Sequence, residues 1–212
     1  MSDKRVFIVG HQSAVATMFK NHEGFSVTLD TENPDLVVFT GGADINPALY
    51  SELPLEGTYI DVNRDKQDIE AFKKYQTVPK VGICRGAQFL NVMSGGAMWQ
   101  HVSNHTRDHV LTNLLKIPDI PEEDVYVTST HHQMMIPGSE GEEIAITLSD
   151  DKTQGISKVY CSANKGRKHP EWDTEIVWYG STNSLCFQPH PEYRAKSAMT
   201  EYFFKLINHF FF

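Results

Sequence analysis

The sequence predicts an α/β protein, with a mostly parallel central sheet, flanking helices and an added antiparallel portion. Three observations lead there. Over the first part of the chain, short apolar runs alternate with stretches whose apolar positions recur at helical spacing. At the end of that stretch, Gly82-Ile83-Cys84-Arg85-Gly86 marks a switch from an apolar run to helix-like sequence. From residue 124 onward the apolar runs are short and follow one another without helices between them, as antiparallel strands do.

Taken in order, Arg5-Val6-Phe7-Ile8-Val9 is apolar and β-branched enough for a first strand. With this strand so near Met1, no secretory leader is expected. Residues 13–21 read as the first helix, followed by strands at 25–29 and 36–39. Residues 61–75 are charged, with Ile69 and Phe72 as apolar positions, and suit a surface helix packed on the sheet. Residues 80–83 form the strand that delivers Cys84, and helix follows through Met93. Later β-like segments lie at 124–127, 143–148, 157–162, 175–178 and 184–187. A helix over 193–212 closes the order, with Ala198, Phe203, Phe204 and Ile207 able to face the sheet. No repeat, low-complexity tract or linker interrupts it, so residues 1–212 are expected to form a single domain. A chain of 212 residues with 40% hydrophobic content can build one such core.

A cysteine between two glycines at a strand-to-helix turn has the form of a nucleophile elbow. The turn has no space for side chains at its flanks. The unpaired N–H groups and dipole of the helix N-terminus favour a thiolate there. Such a nucleophile needs a base, and Phe187-Gln188-Pro189-His190-Pro191-Glu192 offers one. His190 lies between prolines that restrict its backbone, and Glu192 is placed to orient the imidazole. The apolar Ser184-Leu185-Cys186-Phe187 before it reads as a buried strand, so His190 leaves a strand's carboxyl end as Cys84 does. Ligands of open α/β sheets bind at that rim.

Gly82-Ile83-Cys84-Arg85-Gly86-Ala87-Gln88 together with Gln188-Pro189-His190-Pro191-Glu192 resembles the class I glutamine amidotransferases, whose sheet is flavodoxin-like. Three further segments are similar to the branch that includes gamma-glutamyl-gamma-aminobutyrate hydrolase. They are Gly41-Gly42-Ala43-Asp44-Ile45-Asn46-Pro47-Ala48-Leu49-Tyr50, Asn91-Val92-Met93-Ser94-Gly95-Gly96 and Ser129-Thr130-His131-His132-Gln133. The matching segments keep their order from residue 41 to residue 192.

The resemblance implies hydrolysis of a gamma-glutamyl amide bond, in glutamine or a gamma-glutamyl amine, through Cys84, His190 and Glu192 and a glutamyl thioester. It implies an oxyanion hole built from the backbone N–H of Arg85 and a glycine N–H of Gly41-Gly42, here Gly42. It implies substrate contacts from Gln88, Ser129 and His131, and no cofactor. Two settings share this chemistry: a free-standing hydrolase, and the glutaminase subunit of a two-component amidotransferase that feeds ammonia to a separate synthetase. Pro189 departs from the family, which usually has an aromatic residue there; proline ends the strand and holds Gln188 extended. The chain is also short for that branch, so loops over larger substrates are expected to be reduced.

Other residues read more plainly. Cys186, inside an apolar strand, and Cys161, in a polar edge-like stretch, are expected to be structural. Asp44 and Tyr50 read as turn and packing residues before pocket residues. Arg85 reads equally as a clamp for a carboxylate and as a salt bridge to a neighbouring loop. His101, His105 and His109 recur every four residues, which on a helix would align three imidazoles. The sequence between them has no apolar stripe, and no metal site is expected. His131-His132 reads as pocket lining and backbone support. Gly41-Gly42 lacks the lysine and hydroxyl residue of a phosphate loop.

The net charge of −8 argues against a nucleic-acid partner, and the basic run Lys165-Gly166-Arg167-Lys168-His169 reads as a solvated loop. Three irregularly spaced cysteines argue for a reducing, cytoplasmic setting. No apolar run approaches membrane-spanning length, so no membrane partner is expected. The expected ligand is a small gamma-glutamyl compound. Phe210-Phe211-Phe212 either folds under the sheet or forms a partner surface, with packing favoured.

Overall fold

The computed structural model describes residues 2–11, 13–118, 120, 125–148, 157–194 and 196–212. The first part of the chain runs β1 (Lys4–Val9), α1 (Ser13–Lys20), β2 (Phe25–Val27), β3 (Leu36–Phe39), α2 (Val62–Lys74), β4 (Lys80–Ile83) and α3 (Arg85–Met93). Short strands follow: β5 (Ala97–Trp99), β6 (His101–Val102), β7 (His109–Asn113), β8 (Val125–Val127), β9 (Met134–Ile136), β10 (Glu142–Thr147) and β11 (Tyr160–Cys161). The last elements are β12 (Asp173–Tyr179), β13 (Ser184–Phe187) and α4 (Ala198–Phe211).

Among the described residues, nine strands make one sheet in the order β2-β1-β3-β4-β13-β12-β10-β7-β8. From β2 to β13 all neighbours are parallel. From β13 to β8 all are antiparallel. The antiparallel portion is therefore an extension of the parallel sheet through β12. Two ribbons, β6 with β11 and β5 with β9, stand outside it.

The central strands β3, β4 and β13 are buried along their whole length. β3 reads as an unbroken apolar run, while β4 buries Lys80, whose ammonium donates to the carbonyls of Tyr75, Gln76 and Val78. Side chains still alternate between faces. Leu36 and Val38 point into a cluster with Phe19 of α1 and Phe203, Phe204 and Ile207 of α4. Val37 and Phe39 point the other way, among Phe89 and Leu90 of α3. Helices thus cover both faces of the parallel part.

Several boundaries differ from the sequence expectation. The last helix begins at Ala198, not at 193: Ser197 caps it by accepting from the Thr200 N–H at 3.2 Å, and Pro191–Tyr193 form a separate 3₁₀ turn. Ala198 is therefore exposed, whereas Phe203, Phe204 and Ile207 are buried. The second strand stops at Val27 and leaves Leu29 82% exposed. Position 124 of the expected strand 124–127 lies outside the described residues. The expected strand 157–162 shrinks to β11, while 175–178 lengthens into β12. Strands β5, β6, β7 and β9 were not foreseen, because runs of two to five residues carry too little periodicity to read. His101 and His109 stand on two of them, so the histidines spaced by four share no helix. Phe210 stacks on Trp178 at 4.6 Å and Phe211 meets the same ring at 5.4 Å, so the aromatic run packs on the sheet.

Candidate active site

Three adjacent parallel strands end at one rim. β3 leads into Thr40-Gly41-Gly42, β4 into Cys84, and β13 into Gln188-Pro189-His190. Cys84 sits at φ 51° and ψ −110°, a backbone conformation that costs a side-chain-bearing residue about 1–3 kcal/mol. Close packing holds it there. A Cβ on Gly82 would stand 2.3 Å from the Gly86 carbonyl carbon, and one on Gly86 would stand 2.0 Å from the Phe39 oxygen. Gly82 lets the turn close on the start of α3, and Gly86 lets that turn lie against β3. The Cys84 N–H donates to the Phe187 carbonyl at 3.0 Å, and the Cys84 carbonyl accepts the Gln88 N–H at 3.0 Å, opening α3.

His190 Nδ1 donates to Glu192 Oε1 at 2.8 Å. A carboxylate only accepts, so this bond sets the tautomer and leaves Nε2 for Cys84. The Tyr193 ring stacks on the imidazole at 4.2 Å and 7°. The Thr128 hydroxyl donates to the His190 carbonyl at 3.0 Å and accepts its N–H at 3.2 Å. Gly41 lies against both chemical groups: a Cβ there would be 3.2 Å from His190 Cε1 and 3.9 Å from Cys84 Cβ. Burial pushes the imidazole toward neutrality. Hydrogen bonds and charge from Cys84 and Glu192 outweigh that and carry it up to about 10.

The second oxyanion candidate is held by a buried ion network. Arg64 of α2 donates to the Thr40 carbonyl at 2.9 Å and to Asp68 at 2.9 Å. Asp68 also pairs with Arg85, which reaches Asp65 at 2.6 Å. The Arg85 side chain is 1% exposed, so it is a strut between α2 and α3 and is turned away from any ligand. Its backbone N–H is among the first of α3, which have no partner within the helix. Opposite, Gln88 donates to the Gln133 carbonyl at 3.3 Å and to Gln188 Oε1 at 3.1 Å. Ser129 donates to the His105 carbonyl at 2.7 Å, and the buried His131 ring stacks on His105 at 4.5 Å. Asp44 accepts from His132 at 2.9 Å and from the Tyr59 N–H at 2.9 Å, and the Tyr50 hydroxyl is buried with no hydrogen-bond partner.

The sequence matches the peptidase C26 family over residues 8–154. The chain belongs to that family. The match takes in Cys84 and Ser129 to Gln133, while His190 and Glu192 lie beyond it. The peptidase C26 chain is 30% identical over 163 residues to the glutamine amidotransferase-like protein YvdE of Lactococcus lactis, an alignment covering 66% of this chain and 68% of that one. In fold it is similar to a protein from Thermoplasma acidophilum described as one subunit of a GMP synthase, with TM-score 0.68, 14% identity, and 99% and 95% of the two chains covered. A glutamine amidotransferase from Thermotoga maritima superposes with TM-score 0.56 at 16% identity, covering 98% of this chain and 85% of that one. These place the C26 chain among the class I glutamine amidotransferases and their flavodoxin-like folds.

In this C26 chain the structure brings Cys84, His190, Glu192, Gly41 and the start of α3 together at one rim. Sequence reasoning missed Thr128 and Tyr193, which hold His190 from its backbone and its face, and Arg64, Asp65 and Asp68. The Arg64–Asp68 pair, four residues apart on a predicted helix, was the readable signal for that network. Nothing local marks Thr128 or Tyr193. Cys186 is fully buried, and burial pushes its thiol well up, as a structural cysteine requires. No helix among the described residues is long and apolar enough to cross a membrane.

Proposed function

We propose that the protein hydrolyses a gamma-glutamyl amide bond, in glutamine or a gamma-glutamyl amine, through Cys84, His190 and Glu192. The observation that carries this is the strained Cys84 at the β4–α3 elbow, facing an imidazole that Cys84 and Glu192 together hold in its protonated form. His190 takes the thiol proton of Cys84, and the imidazolium so formed is the state that Cys84 and Glu192 stabilise. Cys84 Sγ attacks the amide carbon, and the developing oxyanion accepts the N–H groups of Arg85 and Gly42. His190 then gives its proton to the departing nitrogen, and an amine or ammonia leaves a glutamyl thioester. The neutral imidazole draws a proton from water, whose oxygen attacks the thioester, and glutamate is released with the thiolate and imidazolium restored. Glu192 stays ionised throughout and keeps the ring oriented.

Gln88 and the Ser129–His131 segment form the wall that receives the glutamyl group. The His131 ring faces His105, so this residue acts through its backbone and by fixing the wall. The Ser129-Thr130-His131-His132-Gln133 segment favours a self-sufficient gamma-glutamyl amine hydrolase. The likeness to a chain described as part of a synthase favours a second reading, a glutaminase that passes ammonia to a synthetase partner. Amine and ammonia release from L-glutamine and from a panel of gamma-glutamyl amines, with Cys84→Ala as the blank, separates the two. Fast amine cleavage with little glutaminase activity supports the hydrolase. Slow glutaminase activity with no amine cleavage supports the second reading, and no Cys84-dependent release from any substrate refutes both.

A further inference from the structure

We propose that His105, His131 and Glu175 form a buried divalent-metal site, suited to Zn²⁺, behind the wall of the catalytic pocket. One ligand atom from each of the three residues lies within 4.8 Å of the others, and all three residues are buried. The spacing of four that drew attention to His101, His105 and His109 is not what assembles this set. His101 turns to His132, at 3.1 Å between the two Nδ1 atoms. His105 instead meets a histidine from the segment before β9 and a glutamate of β12.

The hydrogen bonds fix what each group can still do. His105 Nε2 lies 2.7 Å from Asp173 Oδ2, which can only accept, so that nitrogen carries the hydrogen. The lone pair of His105 is then on Nδ1, which is buried without a hydrogen-bond partner and stands 3.3 Å from Glu175 Oε1. His131 Nδ1 lies 2.8 Å from the Gln133 carbonyl, which again only accepts. Its lone pair is on Nε2, also buried and without a partner. Glu175 Oε1 accepts from His109 at 2.9 Å and from Thr147 at 3.3 Å, while Oε2 has no partner.

Two imidazole lone pairs and a carboxylate oxygen thus converge in the buried interior. Such unpaired acceptors are costly when buried. Protonating His105 Nδ1 would answer Glu175 but leave His131 Nε2 alone. A single water has two protons for three acceptors. A cation satisfies all three. The outer contacts have the form that metal sites use, a carboxylate behind one histidine and a backbone carbonyl behind the other. Asp173 is itself anchored by the Tyr160 hydroxyl and the Ser157 N–H, each at 2.7 Å. Two imidazoles and a carboxylate suit Zn²⁺, with the second Glu175 oxygen or a water completing four ligands. Zinc bonds of about 2.0–2.2 Å require the set to draw closer than it stands here, and the stacked rings to splay. The ion would brace the pocket wall through Ser129, which bonds the His105 carbonyl, and through the Gln188 N–H, which bonds the Glu175 carbonyl at 2.9 Å.

The test uses the full chain carrying Cys84→Ala, so that the catalytic thiol cannot bind the metal. This protein is already inactive, which keeps the outcome separate from the proposed hydrolysis. It is expressed with zinc in the medium, dialysed, and assayed for metal by elemental analysis. About one Zn²⁺ per chain is expected. Adding His131→Gln should abolish retention, and adding Asp173→Asn should weaken affinity about 10–100-fold. Cobalt in place of zinc should give the visible bands of a tetrahedral nitrogen–oxygen site without a thiolate charge-transfer band, a readout that needs no further substitution. Absence of stoichiometric metal in the Cys84→Ala protein, or full retention in a folded His131→Gln variant, overturns the site.

Discussion

At Cys84 two demands meet in one residue. The nucleophile has to project from a turn that only glycine adopts without strain, and the flanking glycines let that turn close on itself at Gly82 and touch β3 at Gly86. Cys84→Ala should therefore abolish turnover and leave the unfolding midpoint little changed, as measured by amide release and denaturant titration. Gly86→Ala should destabilise by about 1–3 kcal/mol or more, because the new methyl group meets the Phe39 carbonyl. A Gly86→Ala protein with the parental midpoint would show that the elbow has slack. For His190 the sign follows from its folded-state value of about 10, raised from 6.5 by Cys84 and Glu192. The associated stabilisation is complete below pH 6.5 and is lost as pH rises through about 10. Activity should fall over the same upper range, since the departing nitrogen then finds no proton. Glu192→Gln should bring that basic limb down toward 6.5 and lower the rate less than His190→Asn does. A pH profile of Glu192→Gln that superimposes on the parent would assign the orienting role elsewhere.

At the scale of elements, α2 and α4 act on the site from opposite faces of the sheet. The α2 network is buried, with Asp68 fully so, and two guanidinium groups depend on that carboxylate. Asp68→Ala should cost about 3–5 kcal/mol, since it strands buried cations. It should also lower activity by releasing Arg64 from the loop after β3, which kinetics and denaturation on the same protein will separate. The sequence placed a surface helix over residues 61–75, and the structure shows that Arg64, Asp65 and Asp68 of that helix are buried. Hydropathy counts a charge as exposed, and only a partner from another helix makes its burial tolerable. In α4, Phe203→Ala should cost about 3–5 kcal/mol because the ring is fully buried between α1 and β13. Phe212→Ala should cost far less, since that ring is 48% exposed and lies under Lys4. Equal losses from the two would mean that the end of the helix packs more tightly than the structure shows.

For the whole molecule, the catalytic arrangement follows from sheet order. β3, β4 and β13 are neighbours although β13 comes far along the chain from β4, and that adjacency sets His190 beside Cys84. Ligand sites at the carboxyl ends of parallel strands are a general consequence of this topology. The same crossover carries β12 and β10 outward and closes Asp173 and Glu175 over His105, His109 and His131. One sheet order thus positions both the catalytic rim and the buried histidine cluster behind it.

The sequence by itself determined the α/β class, the elbow at Cys84 and the His190-Pro191-Glu192 segment; it grouped 184–187 with the antiparallel strands, and only the packed sheet set β13 parallel beside β4. Each of those three is written in local chemistry: apolar runs alternating with helical spacing, glycines where no Cβ fits, prolines that limit the backbone. Tertiary structure alone decided the rest. It buried Arg85 between two aspartates, turned the His131 ring toward His105, set Thr128 and Tyr193 around His190, and folded the terminal phenylalanines against Trp178 and Phe25. The physical reason is the range of the forces involved. Periodicity and backbone sterics act over a few residues and can be read along the chain. Whether a charge or a ring is satisfied depends on partners that only the packed sheet brings within reach.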